Sequence, residues 1–214
     1  MGKEQTWGGL MIVGIGLPRT GTTSLHETLK GYGIRSAHMP IELYESDDLQ
    51  EACSPYGALI DTPVPLLYPQ LDEALDHCQF VLTTRDKEGW LESMKWLLET
   101  GPKIWQWRPT YDAYNREFFG TASFEPDVLA RRYEEYHREV EQYFAERPDD
   151  LLTVDLSQSP DTRRLVEFLG LDHEPHPWPR SNTSRTPSLL QEAAYQVERL
   201  RWRRAGTLLR RIDN

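Results

Sequence analysis

Residues 11–25, MIVGIGLPRTGTTSL, combine three glycines, an arginine and a run of hydroxyl side chains. The apolar start is typical of a buried strand, and Gly14, Gly16 and Gly21 let a ligand approach the backbone closely. The hydroxyl residues that follow are suited to a helix start, where unpaired N–H groups and the helix dipole attract anions. The segment therefore predicts a site for a phosphorylated ligand.

Two common phosphate-binding motifs do not fit this segment. The spacing of Gly16 and Gly21 agrees with a Walker loop, but Thr22 stands where that loop needs its lysine. The dinucleotide fingerprint could begin at Gly14, but its third glycine is replaced by Arg19. The cation of this loop thus lies inside it, before the first helical hydroxyl.

A second strand followed by a helix is predicted over 79–94, QFVLTTRDKEGWLESM. Arg85 ends the strand, Ser93 follows eight residues later, and Trp90 lies between them. A strand end and the next helical turns can converge on one dianion, which a guanidinium binds through two charge-assisted hydrogen bonds. With the first loop, this pattern resembles the compact bacterial-type sulfotransferases that use 3′-phosphoadenosine 5′-phosphosulfate (PAPS).

The resemblance covers most of residues 11–185, including the strand and helix of 151–172 and the segment 177–182, PWPRSN. It implies that the first loop binds the 5′-phosphosulfate, that Arg85 and Ser93 bind the 3′-phosphate, and that 177–182 closes over the nucleotide. No metal is required. The cofactor-binding residues that it implies are Pro18, Arg19, Thr20, Gly21, Thr22, Thr23, Ser24, Arg85, Trp90, Ser93, Arg180 and Asn182.

Sulfuryl transfer needs an acceptor hydroxyl in line with the sulfur, a base for its proton, and positive charge near the departing phosphate. Arg19 is the predicted cation for the charge on the bridging oxygen. Asp61, in an Asp-x-Pro context, is the predicted base, and apolar neighbours are expected to raise its pKa toward neutrality. The alternative role of Asp61 is to cap the helix that follows it. His38 is a competing base and Glu42 a third.

Apolar strands alternate with helical patterns, which predicts an α/β fold of three layers with a central parallel sheet. The resemblance implies the P-loop-like architecture of sulfotransferases. Ligands of open parallel sheets lie beyond the carboxyl ends of the strands, so Arg19, His38, Asp61 and Arg85 are expected to face one crevice. The predicted strands are 11–15, 34–37, 58–60, 80–84 and 151–154, and the predicted helices are 22–30, 66–75, 87–99, 126–147 and one from 159–160 to 170.

Aromatic residues crowd the segment 95–125, which does not follow the alternation of strand and helix. Two interpretations stay open: a lid or acceptor pocket, in which rings offer broad contact surfaces, or core beneath an irregular excursion. A C-terminal helix is predicted over 188–212, with a basic face that is either solvated or in contact with a partner.

Composition favours a single domain over 1–214. The net charge of −10 argues against nucleic-acid binding, and no apolar run approaches the length of a membrane span, so a cytoplasmic protein is expected. The predicted partner is a small-molecule, sugar or lipid-head acceptor with a hydroxyl, and a homo-oligomer stays open. The alternatives are a P-loop kinase that uses ATP and magnesium, and a sulfotransferase-like protein that holds nucleotide without turnover.

Overall fold

The computed structural model describes residues 10–104, 107–155, 157–158 and 161–179. One five-stranded sheet lies at the centre, and each strand pairs with its neighbours in parallel. Its strands are β1 (Met11–Gly14), β2 (Ser36–His38), β3 (Ala58–Ile60), β4 (Cys78–Thr84) and β5 (Leu151–Asp155). The order across the sheet is β2-β3-β1-β4-β5, which confirms the predicted α/β fold with a central parallel sheet.

Helices flank the sheet on both faces. They are α1 (Thr22–Gly31), α2 (Leu49–Cys53), α3 (Val64–Ala74), α4 (Lys87–Glu99), α5 (Gly101–Ile104), α6 (Pro109–Phe119), α7 (Pro126–Tyr143) and α8 (Arg163–Leu169). Two 3₁₀ helices, Ile41–Glu45 and Pro148–Asp150, join them. Among the helices of the described ranges, none is both long and apolar enough to cross a membrane.

The core has two parts because successive residues of a strand face opposite sides of the sheet. Val13 of β1 belongs to the cluster that includes residues of α3, α4, α6 and α7, whereas Ile12 belongs to the cluster beside α1 and α8. All four residues of β1 are buried, as expected of a central parallel strand covered on both faces. This burial fixes the end of β1, from which the first loop departs.

Several boundaries differ from the prediction. Helix α3 begins at Val64, directly after Pro63, and not at residue 66. Helix α7 ends at Tyr143 and not at 147, since residues 144–147 form tight turn bonds before Pro148. A proline disfavours helical backbone in the residue that precedes it. Strand β2 lies over Ser36–His38 and so includes His38.

Five elements of the described ranges were not predicted: the 3₁₀ helices Ile41–Glu45 and Pro148–Asp150 and helices α2, α5 and α6. Helix α6 is part of the aromatic segment 95–125, and its rings fall on two sides. Tyr114, Phe118 and Phe119 join the core, as one interpretation expected, and Tyr111 is half-buried at a cavity, as the other expected. The predicted C-terminal helix lies outside the described residues.

Candidate active site

A cavity of about 490 Å³ opens at the carboxyl ends of the strands. Arg19 follows β1, His38 ends β2, Asp61 follows β3 and Arg85 follows β4, and all four side chains line this cavity. The parallel sheet therefore gathers residues that are up to 66 positions apart in sequence (85 − 19). The residues predicted to share one crevice do share it.

The first loop is held by side chains that bond its carbonyl groups. The Tyr136 hydroxyl donates to the carbonyl of Ile15 at 2.6 Å, and the Trp90 indole donates to that of Pro18 at 2.9 Å. Thr20 donates to the carbonyl of Leu17 at 2.7 Å, within the loop itself. Because carbonyls are fixed from behind, the loop keeps one shape before any ligand binds.

Gly16 and Gly21 meet different demands of this shape. A Cβ on Gly16 would lie 1.9 Å from Thr83 Oγ1, so only glycine fits against β4 there. Gly21 precedes α1 with φ at 107°, a left-handed conformation that favours glycine. Within the described residues no side chain caps the N terminus of α1, and this end of a helix attracts anions.

Arg19 is fixed by three features. Its backbone is left-handed at φ 72°, its Nε donates to Ser93 Oγ at 2.8 Å, and its guanidinium carbon lies 4.9 Å from the centre of the Trp96 ring. Partial burial lowers the pKa of Arg19, and the nearby charge of Asp61 opposes that change. The side chain is thus a preorganised cation.

Asp61 is a buried carboxylate, only 4 % exposed. It accepts hydrogen bonds from the Thr22 hydroxyl and from the Thr62 backbone N–H at 2.6 Å, and its Oδ2 lies 3.4 Å from His38 Nε2. Burial works to raise the pKa of Asp61, but His38, Thr22 and Thr62 together outweigh it and hold that pKa below its ordinary value. The predicted upward shift is therefore wrong.

His38 lies between the hydroxyl of Thr23, on α1, and the carboxylate of Asp61, which follows β3. Its Nε2 is 3.3 Å from Thr23 Oγ1, in addition to its contact with Asp61. The ring packs near His26 at a centroid distance of 5.2 Å, and His26 is held in turn by Ser36 at 2.9 Å. Burial and the neighbouring His38 lower the pKa of His26 to about 4, so His26 is neutral at physiological pH. Glu42, the third candidate base, is exposed and does not line the cavity.

Backbone conformation marks the same place. Among the described residues, the non-glycine residues with positive φ are Arg19, Met39 and Asp61, at 72°, 55° and 72°. Such conformations cost free energy and cluster at functional sites. All three residues line the cavity, which supports its assignment as the active site.

Arg85 and Ser93, predicted to bind the 3′-phosphate together, both line the cavity. Ser93 accepts the hydrogen bond of Arg19 described above, so it also positions the Arg19 guanidinium. Arg85 is exposed, and among the described residues its guanidinium has an ion-pair contact with Asp86 at 4.0 Å. Arg180 and Asn182 lie outside the described residues.

The predicted loop ligands divide into two groups. Pro18, Gly21, Thr22 and Thr23 line the cavity beside Arg19. Thr20, Ser24 and Trp90 are buried behind it: Thr20 bonds Thr83 at 2.8 Å, and Trp90 has no exposed surface. The structure therefore gives Thr20 and Trp90 the role of supporting the loop, and not that of lining the cavity.

The opposite side of the cavity was not resolved from the sequence. Its lining residues carry no charge within the part of the chain that the structure describes; they are Met39, Thr62, Leu97, Trp107, Tyr111 and Asn115. A signal for α6 exists in hindsight, because Tyr111 and Asn115 are four residues apart and so share one helical face. The described residues include no group of three or more histidine, cysteine or acidic side chains that could hold a metal ion.

The fold is that of an α/β protein of P-loop-like architecture. Its site combines a strand, a glycine-containing loop, a helix N terminus and arginines at the carboxyl edge of a parallel sheet. A family model described as a sulfotransferase domain matches residues 11–186. The chain therefore belongs to the sulfotransferase family and is a transferase of sulfuryl groups. Comparison with curated proteins gives no match.

Proposed function

We propose that the protein transfers a sulfuryl group from PAPS to a hydroxyl of a small acceptor by in-line displacement. The observation that carries this proposal is the meeting, in one cavity, of an uncapped helix N terminus and two arginines with the Asp61–His38 pair. The first set fits phosphate groups, and the second can receive a proton.

The hydrogen-bond donors that line the cavity fit a ligand with a phosphate group at each of two ends. Gly21, Thr22 and Thr23 offer N–H groups of α1 to the 5′ end, and Arg85 offers an open guanidinium to the 3′-phosphate. When bound, PAPS supplies an activated sulfuryl group. As the bond between sulfur and the bridging oxygen breaks, Arg19 stabilises the negative charge that develops on that oxygen, which stays with the phosphate.

The Asp61–His38 pair takes the proton of the acceptor hydroxyl as its oxygen bonds to sulfur. We propose His38 as the group that accepts the proton, because it lines the cavity and its Nε2 lies 3.4 Å from the Asp61 carboxylate, which can stabilise the imidazolium that forms. Asp61 is ionised and already accepts two hydrogen bonds, which makes it a weak base and a good partner for an imidazolium. Asp61 as the direct base is the competing assignment.

Neither alternative gains support from a specific contact. A P-loop kinase would need a lysine at Thr22, whose hydroxyl is instead bonded to Asp61. In a protein that only holds nucleotide, the strained backbone of Arg19, Met39 and Asp61, at and around the Asp61–His38 pair, would have no function. Turnover with PAPS separates this last alternative from the proposal.

The first test is a thermal-shift titration without metal, using 3′,5′-adenosine bisphosphate (PAP), the desulfated product. At about 100 times its dissociation constant, a specific ligand adds roughly 2.7 kcal/mol, equivalent to about 5–10 °C for a domain of this size. ATP with magnesium serves as the comparison. A shift with ATP and magnesium alone would reject the proposal in favour of a kinase.

Arg85→Ala sharpens the same titration. We expect PAP affinity to fall roughly tenfold or more, because a charge-assisted contact with the 3′-phosphate is lost, while affinity for 5′-AMP stays the same. Lys87→Ala is the matched control, since Lys87 is bonded to Glu134 and does not line the cavity. Equal losses for PAP and 5′-AMP in Arg85→Ala would contradict the assignment of the 3′-phosphate.

A further inference from the structure

The uncharged side of the cavity offers a specific recognition element for the acceptor. Asn115 is only 6 % exposed, yet it lines the cavity, and its amide makes no hydrogen bond with any other residue that the structure describes. The amide oxygen and nitrogen of Asn115 are not among the enclosed polar atoms without a partner, so they are accessible from the cavity. Polar groups at such positions in proteins are commonly paired with a ligand or with water. The Asn115 amide is thus an open donor and acceptor that faces the cavity.

Trp107 contributes an apolar surface to the same side. Its indole N–H already donates to Asp112 Oδ1 at 2.8 Å, which fixes the ring and occupies its polar atom. Trp107 is 6 % exposed and lies 5.0 Å from Tyr111, measured between ring centres. The two rings and Leu97 together offer carbon surfaces to a ligand.

The position of Asp61 places this surface next to the reacting atoms. The Asp61 charge acts on Arg19, at the donor side of the cavity. Partial burial raises the pKa of Tyr111, the charge of Arg108 lowers it, and the charge of Asp61 raises it. Tyr111, Asp61 and His38 line the same cavity. A molecule on Tyr111 and Trp107 would therefore present a hydroxyl toward the Asp61–His38 pair.

We propose that the acceptor is a neutral alcohol or phenol with a flat apolar body that carries a second polar group, and that Asn115 selects it by hydrogen bonding to that group. This inference rests on the proposed function, since it assigns the acceptor side of the same cavity. An anionic acceptor is disfavoured, because Asp61 lines the cavity, whereas Arg108, a cation whose charge also acts on Tyr111, does not line it. The two arginines that do line the cavity are assigned to the phosphate groups of the nucleotide. A hydroxyl-rich sugar without a flat face would leave the rings of Trp107 and Tyr111 uncovered.

The test is direct binding of defined probes to the full chain by isothermal titration, with and without saturating PAP. The probes are the meta and para isomers of hydroxymethylbenzamide, para-methylbenzyl alcohol, para-hydroxymethylbenzoate and methyl glucoside. We expect at least one amide isomer to bind roughly tenfold more tightly than the methyl compound, as one satisfied buried amide would give. The benzoate and the glucoside should bind more weakly than that isomer.

Asn115→Leu should reduce the preference for the amide probe over the methyl probe to within about twofold. Its melting temperature should change little, because the amide makes no hydrogen bond with another described residue and reaches the cavity. Tyr111→Leu should weaken both probes equally and keep their ratio. Arg116→Gln is the matched control, since Arg116 follows Asn115 on α6 but lines a separate cavity of about 700 Å³.

An unchanged amide preference in Asn115→Leu would overturn the assignment of Asn115. Tighter binding of the glucoside or the benzoate, or no binding of any aromatic probe, would overturn the acceptor class. Failure of the proposed function has a different signature: PAP would neither shift the melting temperature nor alter probe binding, and PAPS would give no sulfated product. The preference for the amide probe over the methyl probe, compared between the wild type and Asn115→Leu, can be measured whether or not PAPS is turned over.

Discussion

The two sides of the cavity are built in different ways. The side that is proposed to bind PAPS uses the backbone of the first loop, whose carbonyls are bonded from behind by Tyr136 and Trp90, together with the N terminus of α1 and two arginines. The side that is proposed to bind the acceptor is made of side chains, among which Tyr111 and Asn115 of α6 contribute a ring and an open amide. Backbone recognition is tied to the fold, whereas side-chain recognition can change with single substitutions.

The largest expected effect lies at the boundary of the two sides. His38→Gln should reduce kcat by roughly two to four orders of magnitude, the usual contribution of a general base, while PAP binding persists. Asp61→Asn should also reduce kcat, but less than His38→Gln, because it keeps the imidazole and removes only the carboxylate beside it. Initial rates under saturating PAPS measure both effects.

The competing assignment gives a different pattern. If Asp61 accepts the proton directly, Asp61→Asn abolishes turnover at every pH and His38→Gln keeps most of it. Folding must be followed alongside, because the lowered pKa of Asp61 stabilises the folded state above the pKa of an unfolded aspartate, about 3.9, and this contribution is lost as pH falls further. Asp61→Asn should therefore melt earlier near neutral pH and depend less on pH below about 4.

Arg19→Ala should impair the part of the cavity that is proposed to bind PAPS and leave the part that is proposed to bind the acceptor unchanged. We expect kcat to fall roughly 10²- to 10³-fold, as when one preorganised stabilising group is removed from a transition state. Folding should change little, because alanine takes the same left-handed backbone that arginine already bears. Arg19→Lys should recover part of the rate, since the charge is kept but the bond to Ser93 is lost.

Arg108→Ala is the matched control for Arg19→Ala. Arg108 is an exposed arginine at the start of α6 and does not line the cavity. Single-turnover rates with bound PAPS would separate the chemical step from binding. A rate for Arg19→Ala equal to that of Arg108→Ala would remove Arg19 from the reaction.

The contrast between the two sides also explains what the sequence predicted. Arg19 and Arg85 were found because each follows an apolar strand, and parallel strands bring their carboxyl ends to one edge. The pKa of Asp61 was wrongly predicted because the prediction considered only its sequence neighbours. The hydrogen bonds that decide its direction come from Thr22 and His38, which are 39 and 23 residues away.

The acceptor side shows where local sequence patterns fail. The rings of α6 serve the core and the cavity at once, so the segment has no clean amphipathic pattern, and both interpretations of residues 95–125 are partly right. Ser93 was assigned to the nucleotide, but its bond to Arg19 spans 74 residues. Contacts of this kind depend on how α4 packs against the first loop, which no local spacing encodes.

The smallest predicted effect tests whether the rigid loop matters for binding. Tyr136→Phe leaves the buried carbonyl of Ile15 without its donor, which should cost about 1–2 kcal/mol of folding free energy and roughly 3–8 °C of melting temperature. PAP affinity should fall a few-fold because the loop must then be ordered on binding. Binding of the aromatic probes should not change, since Tyr136 supports only the donor side.

Tyr68→Phe is the matched control for Tyr136→Phe. The Tyr68 ring lies 6.4 Å from that of Tyr136 in the same core cluster, and its hydroxyl bonds no other described residue. Thermal melts and PAP titrations of the two variants isolate the hydrogen bond from the general effect of losing a core hydroxyl. If both variants bind PAP like the wild type, the loop carbonyl bonds serve folding alone. If only Tyr136→Phe binds PAP more weakly, the hydrogen bond from Tyr136 to the loop carbonyl increases the affinity for PAP by fixing the backbone of the loop.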